Sequence, residues 1–181
     1  MSSATSSRGF TLIELMITIS IMAIGMALAY PSFNGVIRSN RIATSTNNVI
    51  AALNLARTEA IRSNRGAGVC PSSTGTSCNG SDWNVGYLAY TDLDGSGDWT
   101  AGDTALRYIE ANNQLGLTAA AGAGESGTGT ISQVAFDRSG RVTQAVDLSL
   151  KLTGCKTGQD YQRRIVIRRS GQARMAKETC Q

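Results

Sequence analysis

The sequence predicts an α+β fold: one long N-terminal helix followed by an antiparallel, sandwich-like β domain. Three observations predict it. An apolar run from Phe10 to Tyr30 is broken by a single acid, Glu14; it matches the ~20 residues a helix needs to cross a bilayer at ~1.5 Å of rise each. Behind it, Ile42, Thr46, Val49, Leu53, Ala56 and Ala60 recur at three- and four-residue spacing, the pattern of a helix with one buried stripe. From Ala67 onward, short β-prone segments alternate with glycine-rich turns. No strand–helix alternation accompanies them, which argues against a parallel sheet.

The first element admits three readings. It is a plain anchor with a stray acid, a secretory signal cut after Ala27-Leu28-Ala29, or a run kept on the mature chain after a leader is cut at Gly9. Secretory apolar cores are about 7–15 residues long, shorter than this run. A plain anchor has no use for Glu14, because a lone carboxylate in hydrocarbon is costly and calls for a function. The third reading accommodates both facts. It divides the chain into a leader (1–9), a membrane helix (10–30), an amphipathic continuation (31–65) and a β domain (66–181). Pro31 lacks an N–H and marks a bend or break between the two helical halves.

In the continuation, Arg38, Arg41, Asn48 and Arg62 lie mostly off the apolar stripe, and Asn64-Arg65-Gly66 is a stop signal. Strands are expected over 83–91, 104–110, 130–136, 141–152 and 161–168. The small residues of 116–129 predict a mobile loop.

The formal charge is +4, unevenly placed. Asp82, Asp92, Asp94, Asp98 and Asp103 crowd one segment, and Lys151 to Lys177 carries most of the C-terminal arginines and lysines. The chain has no histidine, which removes His-based triads, His zinc sites and the usual base near neutral pH. No Ser-Lys or paired-carboxylate signature stands out, so the chain reads as a non-enzyme with no required cofactor. Four cysteines, none spaced C-x-x-C, allow three connectivities. An anchor that places the domain outside the cytoplasm favours disulfides, and the local pairs Cys70–Cys78 and Cys155–Cys180 are the choice made here.

Gly9-Phe10-Thr11-Leu12-Ile13-Glu14 resembles the prepilin peptidase site of type IV pilins and type II secretion pseudopilins. The resemblance implies cleavage between Gly9 and Phe10 and N-methylation of Phe10. It also gives Glu14 a role: pairing with the N-terminal amine of a neighbouring subunit in a bundle of apolar helices. Leaving either charge unpaired there costs several kcal/mol. Asn40 to Ala43, Ala52 to Ile61, Gly86 to Asp92, Ala135 to Arg141 and the segment Ser170 to Cys180 resemble the GspH/FimT branch of that family. This resemblance implies a minor pseudopilin or minor pilin, anchored once in the inner membrane with its C-terminal domain in the periplasm. Its partners would be prepilin peptidase and other filament subunits. A domain released after Ala29 is the competing outcome.

Two further segments carry candidate chemistry. Asp92-Leu93-Asp94-Gly95-Ser96-Gly97-Asp98 through Asp103 has the spacing of a calcium loop, with Asp92, Asp94, Ser96, Asp98 and Asp103 as oxygen donors. Asp103 replaces the usual glutamate, and strands flank the loop where helices are usual; a solvated acidic hairpin is the simpler reading. At the C-terminus, Arg163, Arg164, Arg168, Arg169, Arg174 and Lys177 form a footprint for DNA. Some FimT-type pilins bind DNA through a Gly-Arg-x-Arg motif; here Gly171-Gln172-Ala173-Arg174 lacks its first arginine.

Overall fold

The structure is a computed structural model, and it describes residues 9–123 and 129–181, with only the backbone of 28–32. Residues 1–8 of the expected leader (1–9), the side chains around Pro31 and the tip of the expected mobile loop (124–128) lie outside the described residues. The chain divides into two units, Met1–Arg38 and Ser39–Gln181.

One helix, α1, runs from Leu12 to Ser63, and its assignment continues through Pro31. It ends where expected: Asn64 adopts φ 52°, a left-handed conformation that asparagine tolerates and that closes helices. Gly66 follows because a Cβ there would lie 2.3 Å from the Asp92 carboxylate.

Eight strands form two antiparallel sheets. The first has the order β3-β2-β1-β5 and the second β4-β6-β7-β8. The first comprises β1 (Gly66–Pro71), β2 (Gly86–Asp92), β3 (Thr104–Glu110) and β5 (Val134–Phe136); the second comprises β4 (Leu115–Ala121), β6 (Val146–Leu152), β7 (Gln162–Ile167) and β8 (Ala173–Glu178).

Strand β3 has the expected bounds, and the others differ. The segment 83–91 opens with a 3₁₀ turn, Trp83–Val85, because the Asp82 side chain accepts from Asn84 N. The segment 116–129 is not all loop: β4 spans its first part and pairs with β6 from Leu115↔Leu152 to Ala121↔Val146. Its leucines and Ala119 alternate inward while Thr118 and Ala120 face out. Strand β1 is built around close approaches; a Cβ at Gly68 would lie 2.6 Å from the Tyr90 hydroxyl.

The core of the second unit joins the stripe of α1 to both sheets. Ile42, Val49, Leu53, Ala56 and Ala60 pack with Val69, Phe136, Leu148, Leu150, Ile165 and Ile167, and Thr46 is buried with its hydroxyl donating to the Ile42 carbonyl at 2.6 Å. A second, smaller cluster lies on the opposite face of β1 and β2: Cys70, Leu88 and Tyr90, covered by Cys78, Trp99 and Tyr108.

Disulfides join Cys70 to Cys78 and Cys155 to Cys180, with Cα atoms 5.6 and 6.1 Å apart. The second holds the segment after β8 against the loop before β7, where Cys180 N donates to Gln159 O at 2.8 Å.

Candidate functional site

The start of α1 is the first site. Gly9, Phe10 and Thr11 precede the helix, and Phe10 is 83% exposed. Thr11 N and Thr11 Oγ1 both donate to Glu14 Oε2 at 3.0 Å, and Glu14 N donates to Thr11 Oγ1 at 3.3 Å. This is a capping box, in which two helix-end donors are satisfied reciprocally. The Thr-x-x-Glu spacing that signals it was present in the sequence, and it gives Glu14 a local structural partner beside any partner in an assembly. Those bonds fall on Oε2 alone.

Around this cap the helix surface is apolar and uncovered. Leu12, Ile13, Leu15, Met16, Ile17, Ile19, Ile21, Met22, Ile24 and Met26 are all exposed. A contiguous exposed apolar face of this extent marks an interaction with lipid or protein. Among the described residues, no helix is long and apolar enough to cross a membrane; side-chain description of this stretch stops at Ala27.

The acidic loop is the second site. Carboxylate oxygens of Asp92, Asp94 and Asp103 lie within 4.8 Å of one another. Asp98 is not part of that group, and Gln133 Nε2 donates to its Oδ1; Ser96 Oγ donates to Asp98 O. All six oxygens of the three aspartates accept hydrogen bonds. Asp92 takes the backbone N–H groups of Gly95, Ser96 and Gly97. Asp94 takes Ser96 N and the Thr100 hydroxyl. Asp103 takes Leu93 N, Thr100 N and the Thr100 hydroxyl.

The protonation balance within the loop is split. Burial pushes the Asp92 carboxyl up, against the bonds from Gly97 and Gly95. The Ser96 N–H, aided by the Ser96 and Thr100 hydroxyls, holds Asp94 down at about 2. The loop is also fastened to the sheet: Trp99 meets Tyr90 edge-on at 5.4 Å, and the Tyr90 hydroxyl donates to Gly97 O at 3.1 Å. Trp99 and Gln133 were not singled out in the sequence; neither lies at a ligand position of the loop.

The basic tail is the third site, and the structure dismantles part of it. Arg163 points inward, is 6% exposed and donates to the carbonyls of Asp160 and Gln162. It is removed from the DNA footprint because its place on β7 alternates with Ile165 and Ile167 toward the core. Arg164 pairs with Asp147, and with Glu178 at 3.8 Å. Strand β7 ends at Ile167, so Arg168 and Arg169 lie beyond it. Arg168, Arg169, Arg174 and Lys177 are exposed.

A residue the sequence did not mark ties the second half of α1 to two turns of the β domain. Arg57, on α1, donates from Nε to Gly140 O at 3.0 Å and from an Nη to Ser170 O at 3.2 Å.

Comparison with known proteins identifies the architecture. The family model described as type II transport protein GspH matches residues 45–171. The chain belongs to the GspH family. The prokaryotic N-terminal methylation motif matches residues 5–30, across the capping box and the exposed apolar helix. Among solved structures, the type IV minor pilin FimU of Pseudomonas aeruginosa is similar in fold, with TM-score 0.53 and 18% identity over 77% of this chain and 90% of that one. The minor pseudopilin EpsH of the Vibrio cholerae type 2 secretion system gives TM-score 0.48 and 20% identity over 75% and 95%. No curated protein matches.

Proposed function

We propose that this GspH-family protein is a non-catalytic minor subunit of a type II secretion pseudopilus or type IV pilus. In this reading it is cut by prepilin peptidase between Gly9 and Phe10 and methylated on Phe10. The observation that carries it is the exposed apolar face of α1, which lies within the match to the methylation motif. Before assembly that face is held in the inner membrane, with residues 28–30 completing the span and the β domain in the periplasm. In the filament the same face packs against other subunits. The family description favours the secretion pseudopilus.

Glu14 works at two levels in this account. Its Oε2 caps its own helix, and its Oε1 accepts the Phe10 amine of a neighbour. Removing the carboxylate strands that amine in an apolar bundle at several kcal/mol. Glu14→Ala is therefore expected to remain in the membrane fraction and to fall about tenfold or more in sheared filaments. Wild-type incorporation of the variant contradicts the pairing role.

We read the acidic loop as a self-closed turn in which calcium is not needed, because all six oxygens of its three clustered aspartates are supplied by donors within the loop. A second reading adds DNA capture by the same subunit, supported by the exposed Arg168, Arg169, Arg174 and Lys177.

A further inference from the structure

A crevice of about 130 Å³ opens between α1, the start of β2, the end of β3 and the start of β4. Its wall is apolar, with Val49, Trp83, Ile109, Leu117 and Leu150. Trp83 is fixed there, because its Nε1 donates to Ile131 O at 2.7 Å. Ser45, Asn48, Tyr87 and Glu110 also line the crevice.

The polar side chains of the lining divide into two sets. Asn84 is engaged at both ends: its Oδ1 accepts from Leu117 N and its Nδ2 donates to Asp82 Oδ1, each at 2.8 Å. Asn112 Oδ1 accepts from Gln114 N at 3.1 Å. By contrast, the side chains of Ser45, Asn48, Tyr87 and Glu110 have no hydrogen-bond or ion-pair partner among the described residues. Burial pushes the Tyr87 hydroxyl pKa up, so that group stays protonated and can both donate and accept. Unpartnered polar groups grouped on an apolar wall are the mark of a binding site.

Size and charge narrow the ligand. Small-molecule pockets usually hold ~300–1,000 Å³, so this crevice admits a single side chain. Glu110 is the one carboxylate in the lining, and no lysine or arginine accompanies it; the complement is a cation. One oxygen each from Ser45, Asn48 and Tyr87 and both from Glu110 match the five N–H donors of a guanidinium, whereas an ammonium brings three. A guanidinium also stacks on aromatic faces, which Trp83 and Tyr87 supply. A free amino acid fits poorly, because its α-carboxylate would find no base in the lining.

We propose that this crevice receives an arginine side chain from a neighbouring filament subunit. The proposal rests on the reading of the chain as a filament subunit. Arg107 lies beside Tyr87 without lining the crevice, and its charge opposes the incoming cation.

The test is a titration of full-length protein in detergent with N-acetyl-arginine amide. The readout is the indole N–H resonance of Trp83; that of Trp99, which packs in the other cluster, is the internal control. A saturable shift at Trp83 alone is expected. Glu110→Gln is expected to weaken binding about threefold or more. Arg107→Gln is expected to tighten it about twofold by removing a like charge. Cooperative thermal unfolding checks that both variants fold. No saturable Trp83 shift up to about 100 mM probe, or an equal response to N-acetyl-glutamine amide, overturns the site. In cells, Glu110→Arg is expected to be cut at Phe10 like the unaltered protein and to fall about tenfold or more in sheared filaments. Unchanged incorporation of that variant overturns the choice of partner. The titration needs no filament, so its failure is separable from failure of the underlying reading, which shows as unaltered protein that is not cut or does not enter filaments.

Discussion

Leu53→Ala tests whether the second half of α1 belongs to the domain core or serves only as a stalk. Leu53 is 2% exposed and packs in the cluster shared by α1 and both sheets. Replacing a buried leucine by alanine removes its transfer energy and leaves a cavity, costing about 3 kcal/mol within a usual span of about 2–5. Leu55, two residues along the same helix, is 36% exposed; its truncation removes little buried area and costs about 0.5 kcal/mol. Urea unfolding of the full chain in detergent, followed by the fluorescence of Trp83 and Trp99, separates the two. With a slope of about 2 kcal/mol per molar urea, the Leu53 variant loses about 1.5 M in midpoint and the Leu55 variant about 0.3 M. Equal shifts, or a Leu53 variant as stable as the unaltered protein, would refute the idea that this half of the helix is core.

The disulfides should contribute unequally. Their sequence separations of 8 and 25 correspond to about 2.5 and 3.5 kcal/mol of lost unfolded-state freedom. Cys155→Ser/Cys180→Ser is accordingly expected to lower the urea midpoint more than Cys70→Ser/Cys78→Ser, and the reverse order would count against the chain-closure argument. Calcium at about 1 mM should leave the thermal midpoint unchanged. A site with a dissociation constant of about 10 μM would add about 2.7 kcal/mol at that concentration, so a clear upward shift that Asp94→Asn abolishes would reinstate the acidic loop as a calcium site.

Much of the helix was legible from the sequence because its signals are local. The stripe from Ile42 to Ala60 has the helical period, and Asn64-Arg65-Gly66 sits where α1 ends. Strand β4 was misread because Gly116, Ala119 and Ala120 have the composition of a loop; only pairing with β6 makes them a strand. Arg163 was misplaced for a related reason. Charge composition marks it as surface, whereas its alternation with Ile165 and Ile167 on a two-sided strand sends it inward. The capping box at Thr11 and Glu14 was readable from spacing but was overshadowed by the assembly role of the acid. Arg57 and the two turns it holds were not readable as a unit, since the bonds that unite them span 83 and 113 residues of sequence.

The most direct test is mass spectrometry of the mature N-terminus in protein recovered from filaments. The account predicts a chain that begins at Phe10 and carries one methyl group on its amine. A chain retaining Met1, or one beginning at Tyr30, would contradict it, because in neither does the Phe10 amine exist to meet Glu14 of a neighbour.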